Sequence, residues 1–220
     1  MSEWWTYTLS DIQSFSLHSY YRLFELYNRA IWPAQIAALL LGFAVWFLIR
    51  RGRGRLAATI LAACWLWVAI VFHAHRYATL TWTARYFAWG FGLEAALLFG
   101  RRLAFENRRA GRAIFAFALL VQPLAGFAFG RTWAQLEIFG VAPDPTAVAT
   151  LGVLLLASGR VRWELLVVPL LWCGISGATL LSMEAPEGWI PIAGAVLAFS
   201  VAMRETLANR RRRTAVPAIS

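Results

Sequence analysis

Between Ile31 and Ile49 lie 19 consecutive uncharged residues, and the stretch that follows, "RRGRGR", holds four arginines. At a rise of 1.5 Å per residue such a run makes a helix roughly 28 Å long, close to the hydrocarbon thickness of a bilayer. A chain built on a run of this kind, ended by fixed positive charge, is suited to lipid. The pattern recurs. Further apolar segments run from Leu56 to about Phe72, Tyr86 to Gly100, Ala113 to Gly130, Pro145 to Gly159, Leu165 to Met183 and Gly188 to about Met203. The fold class expected is therefore all-α: an integral membrane bundle of about seven transmembrane helices over residues 31–206. An aromatic, amphipathic extracytoplasmic segment, residues 1–30, precedes it, and a basic cytoplasmic tail, residues 207–220, follows. The fifth segment is short. Its uncharged stretch reaches only about 22 Å, so it borrows length from its flanks, thins the bilayer or sits inside the bundle.

Orientation comes from the arginines. All 21 basic residues are arginine, giving a net charge of +10. Sixteen of them gather at Arg50 to Arg55, Arg101 to Arg112, Arg160 and Arg162, and Arg204 to Arg213, in alternate loops. The positive-inside rule then places the C-terminus inside and the N-terminus outside. It also accounts for the basicity without a nucleic-acid partner. Trp32, Trp82, Trp133 and Trp189 fall at the opposite ends of the segments, as expected for rings anchored at headgroup depth. Residues 1–30 lack the basic start and apolar centre of a signal peptide, so the first span is expected to direct insertion.

Polar residues inside the apolar runs are few, and an ionisable group in hydrocarbon is costly enough to be a functional candidate. Glu94 lies slightly past the middle of the third segment, and Gln122, beside Pro123, sits at similar depth on the fourth. The Gln122 amide is placed to donate to Glu94, with a carbonyl freed by a kink at Pro123. This makes either an ion or proton site or a structural interhelical hydrogen bond. At the outer mouth, Trp32 reads as an interface anchor, Pro33 as the first turn of the helix, Gln35 as a polar group facing a cavity, and His73 and His75 as an interfacial pair at the end of the second helix. Two histidines two residues apart project in different directions from a helix, so no metal site is expected from them. "SYYRLFELYNR", Ser19 to Arg29, has Tyr20, Leu23, Phe24 and Tyr27 at helical spacing. Such a helix either lies on the leaflet or folds over the bundle as a lid.

Several chemistries drop out. A retinal Schiff base requires a lysine, and the chain has none. HExxH, P-loop and GxSxG motifs are absent, and a bis-histidine haem, which needs ligands from facing helices, is disfavoured with only His18, His73 and His75 to draw on. No cofactor is expected and the chain is not expected to be an enzyme, intramembrane catalysis by Glu94 or Glu164 being the weaker alternative. Cys64 and Cys173 each sit inside an apolar run and read as small buried hydrophobes.

"LYNRAIWPAQ" (Leu26 to Gln35), "FHAH" around His73 and the long stretch from Phe139 to Met183 resemble a family of small bacterial multi-pass membrane proteins classed as a domain of unknown function. The resemblance covers about Leu23 to Val201. It implies a bacterial inner-membrane location and brings no activity, substrate or catalytic residue. Where that family more often reads Pro-Cys-Pro-Thr, this chain has Pro143-Asp144-Pro145-Thr146, so no role for that cysteine carries over.

Segments one to three and five to seven run in matching directions, which permits a parallel repeat linked by the fourth. Two functions follow. One is a small permease or proton- or ion-coupled carrier, with Glu94 taking and releasing the proton for a small-molecule or ion substrate. The other is a non-catalytic subunit or scaffold that assembles with a membrane partner or with its own copies. A polar cavity reaching Glu94 favours the first; a dry bundle with an exposed apolar groove favours the second.

Overall fold

The computed structural model describes residues 15–106 and 108–214. Residues 1–14 of the expected aromatic segment and 215–220 of the expected tail lie outside the described residues. Among the described residues the architecture is all-helical, without strands, in the order α1 (Leu17–Ile31), α2 (Ala34–Arg50), α3 (Gly54–Thr79), α4 (Ala84–Leu98), α5 (Arg109–Ala128), α6 (Pro143–Leu156), α7 (Trp163–Ser182) and α8 (Trp189–Thr214). Each of the seven apolar segments is helical. Four helices are long and apolar enough to cross a membrane, or five if α1 and α2 count as one bent span.

The chain turns by 87° between α1 and α2. Pro33 lies in that corner, ahead of α2, which begins at Ala34, and so does not form the helix's first turn. Ser16 caps α1 by accepting the Ser19 amide at 3.3 Å. Tyr20, Leu23, Phe24 and Tyr27 are all buried in the main core, while Glu25 pairs with Arg22 and Arg29 on the open side. The helix therefore folds against the bundle, the lid arrangement. Tyr27 Oη donates to the Val141 carbonyl at 2.7 Å and accepts from Trp67 Nε1 at 3.0 Å. Asn28 Nδ2 donates to the Ala134 and Leu136 carbonyls, both at 2.9 Å.

At the centre stands α6, every residue of which is buried. A helix that is apolar all round belongs inside a bundle, and this explains its shortness: it need not meet lipid along its length. Gly111 and Gly152 let α5 approach it. A Cβ on Gly152 would lie 2.6 Å from the Phe115 backbone nitrogen. Where α6 stops, the chain after α4 continues the structure, with Glu106 N donating to Leu156 O at 2.8 Å and Ser158 N to Ala104 O at 2.7 Å. On the far side Trp65 and Phe91 join α3 to α4 at 4.3 Å between ring centroids. Contacts of this kind are worth about 0.5–1.5 kcal/mol beyond the area they bury.

The two ends differ in chemistry. One gathers Arg50, Glu106 and Arg112 around one hollow, and Arg160, Asn209 and Arg210 around another, with Arg108 bridging to Glu205 on α8. The other carries Trp32, Trp82, Trp133 and Trp189, all exposed. We call them the arginine end and the tryptophan end. With no glycine or proline after Gly194 until beyond Thr214, α8 continues unbroken through residue 206 into the basic tail.

Candidate functional site

Helix α5 ends at Ala128 and is followed by Gly130, whose positive φ of 80° lets the Gly130 and Arg131 amides bond back to Phe127 O and Gly126 O. That turn sends the Arg131 side chain into the tryptophan end of the bundle rather than out of it, where it is 5% exposed. Nη1 donates to Glu137 Oε1 at 2.6 Å. Nε donates to Glu187 Oε1 at 2.9 Å, and Nη2 lies 2.8 Å from the same atom. Glu187 also accepts from Tyr21 Oη at 2.7 Å, and the guanidinium lies 4.6 Å from the centroid of the Tyr21 ring. Helix α1 thus covers a buried charge cluster assembled from the loop after α5 and the turn before α8.

Asp144 adds a third carboxylate in the first turn of α6. Its Oδ1 accepts from Trp172 Nε1 and its Oδ2 from Ser176 Oγ, each at 2.8 Å. Three acids therefore face one guanidinium. Burial pushes the Glu137 carboxyl up to about 7, against the pull of Arg131. Burial works against the Arg131 cation, yet Glu137 and Glu187 beside it raise its pKa above the ordinary value, so it stays charged.

Beside this cluster is a cavity of about 30 Å³ bordered by Gln122, Pro123, Arg131, Glu137, Asp144 and Glu187. Such a space admits a single water-sized guest. Glu137 Oε2, Glu187 Oε2 and Gln122 Oε1 are buried and have no hydrogen-bond partner.

The residues singled out from the sequence fall into three places. Gln122 and Pro123 border the small cavity just described. Glu94 does not join them: it is fully buried on α4 and neither of its oxygens accepts a hydrogen bond, so the expected Gln122 to Glu94 bond is not made. The reason lies in the packing, since α4 lies against α3 and α7. His73 is enclosed by rings, with Phe91 at 4.5 Å and Trp172 at 4.8 Å between centroids, and both nitrogens are unpartnered. A π-helical stretch, Val68–Arg76, widens α3 there, but His75 is exposed and points elsewhere. Among the described residues no group of three or more histidines, cysteines or acids is placed to hold a metal ion.

Trp32 and Gln35 border a groove of about 720 Å³ between α2 and α5; Pro33 forms the corner between them. Asn28, Arg29 and Trp133 lie at its tryptophan end, and Leu39, Phe43, Leu120 and Leu124 continue it toward the bundle's middle. Gln35 Nε2 donates to Asn28 O at 2.7 Å, leaving its Oε1 unpartnered. Reading the sequence did not single out Arg131, Glu137, Asp144 or Glu187 as a site. Their one signal was an arginine in a loop on the arginine-poor side, followed by an acid six residues on.

An all-helical bundle with four to five helices of membrane length and most of its arginines gathered at one end fits a membrane protein. The chain belongs to a family of unknown function, DUF6064, whose pattern it matches over residues 17–213. No curated protein and no solved structure matches it.

Proposed function

We propose that this is a seven-helix protein of the bacterial inner membrane, with α1 and the tryptophan end outside and the arginine end inside, that binds a lipid-like amphiphile in the groove between α2 and α5. The groove carries this reading. Its tryptophan end offers Arg29, Asn28 and two indoles at headgroup depth, and its length offers branched and aromatic hydrocarbon. That sequence of chemistry complements a molecule with an anionic or dipolar head and an alkyl chain. The bundle interior supports no aqueous carrier through Glu94 or His73, because both are enclosed and hydrogen-bonded to nothing. A substrate carried here would travel with its chain in lipid, and no covalent chemistry is required of the protein.

The test is native mass spectrometry of the full chain after delipidation in mild detergent. The expected result is a retained phospholipid mass that is lost when Leu120→Trp or Phe43→Trp fills the groove, with the melting profile otherwise kept. Wild-type protein that retains no lipid overturns the reading. A stoichiometric partner protein displaced by the same variants replaces it with the scaffold reading, for which the exposed apolar faces of α2 and α5 speak.

A further inference from the structure

We propose that the cavity between Arg131, Glu137, Glu187 and Gln122 is a binding site for one sodium ion. The inference does not rest on the groove. Its geometric basis is the set of three unpartnered oxygens, Glu137 Oε2, Glu187 Oε2 and Gln122 Oε1, on residues that border one cavity of about 30 Å³. Glu137 and Glu187 are both more than nine-tenths buried. With both carboxyls ionised all three atoms are acceptors, so they cannot satisfy one another. A neutral guest of water size has only two donor hydrogens to share among them, whereas a small cation meets all three at once.

Charge argues the same way. With Glu137, Asp144 and Glu187 ionised, the single Arg131 leaves negative charge uncompensated in a buried site, a costly state that a bound cation relieves. Arg131 has already committed its donors to the Oε1 atoms of the two glutamates and to the Gln135 carbonyl. It therefore leaves the Oε2 atoms for a second positive charge. A divalent ion fits less well. Calcium takes six to eight oxygens, and both oxygens of Asp144 are engaged by Trp172 and Ser176. Carboxylate oxygens are ligands of high field strength, which favours the smaller sodium ion over potassium. The groups facing Glu137 are Arg131, Asp144, Glu187, Tyr20 from α1 and Tyr77 from α3, and the glutamate's affinity for protons near neutrality makes the proton sodium's competitor.

The experiment measures the melting midpoint of the full chain in lipid nanodiscs at pH 8, in sodium, potassium or N-methylglucamine chloride at equal ionic strength. Sodium is expected to raise the midpoint by several degrees over the other two salts, saturably, and the shift should shrink at pH 5 as protons occupy Glu137. Gln122→Leu and Glu187→Gln should each abolish it. Should Glu187→Gln fail to fold, Gln122→Leu and sodium-23 line broadening on the wild type decide the matter. Equal midpoints in the three salts, or a sodium shift that survives both variants, overturn the site. A midpoint that answers to pH but not to sodium overturns it in favour of a bound proton. Leu120→Trp should leave the sodium response intact, which separates this result from failure of the groove reading.

Discussion

Glu94 is a carboxylic acid enclosed by the bundle with both oxygens unpartnered. A buried polar group in that state costs about 1–3 kcal/mol, so Glu94→Leu should leave the protein as stable or raise its melting midpoint in nanodiscs. A marked fall would reveal a partner or a function that the acid serves. Arg131 is the opposite case. Arg131→Ala strands Glu137 and Glu187, and losing one member of a buried pair costs about 3–5 kcal/mol; denaturant titration should show a loss of that order. The pH dependence has a definite sign. Because folding raises the Glu137 pKa from its ordinary 4.5 to about 7, the folded state holds that proton more tightly. Its contribution to stability is complete below about pH 4.5 and disappears as pH climbs through 7. Wild-type stability should therefore fall between pH 5 and 8, and Glu137→Gln should flatten that interval. Of these residues Glu94 was legible in the sequence, since an acid within an apolar run declares itself. The Arg131 cluster was not: its members come from α1, a loop, α6 and a turn, and no spacing along the chain records that meeting.

At the level of elements, apolar runs and arginine clusters were enough to locate all seven helices of the bundle to within a few residues, apart from the extensions of α3 to Thr79 and of α8 to Thr214. What they could not convey was rank. Residues 145–159 looked like the weakest span, yet α6 is the buried axis of the structure, because hydropathy reports that a segment avoids water and is silent on whether it meets lipid or protein. The same blindness affects the idea of a parallel repeat: α2 buries only Gln35, Ala38, Gly42 and Val45, whereas its counterpart α6 buries everything. Small residues are what let a helix occupy such a centre. Gly152→Ala puts a methyl group 2.6 Å from backbone that cannot step aside and should cost about 1–3 kcal/mol in unfolding by detergent titration. Gly174→Ala, at an open position on α7, serves as the control and should stabilise by about 0.5–1 kcal/mol. Equal effects at the two sites would mean that α5 and α6 are not in close contact.

For the whole molecule the decisive question is how many helices cross. Length alone admits four or five, because α4 has 15 residues and α6 has 14, about 22 Å and 21 Å at 1.5 Å per residue. Charge gives an independent answer. If α4 stopped short of crossing, Arg101 and Arg102 at its far end would face the tryptophan end, and the alternation of arginine-rich and arginine-poor loops would break. The structure sets both ends of α6 against other chain rather than lipid, so a short helix there satisfies its ends within the protein. We therefore expect Arg51→Cys and Arg102→Cys to resist a membrane-impermeant maleimide applied to intact cells, and Trp133→Cys and Glu184→Cys to be labelled. All four positions are exposed, and the background would carry Cys64→Ala and Cys173→Ala, since both native thiols are free. Labelling of Arg102→Cys from outside would make α4 re-entrant and put the two termini on the same side of the membrane. Protection there, with labelling at Trp133→Cys, would place the Arg131 cluster on the extracytoplasmic face, where sodium and protons reach it from the side of higher concentration.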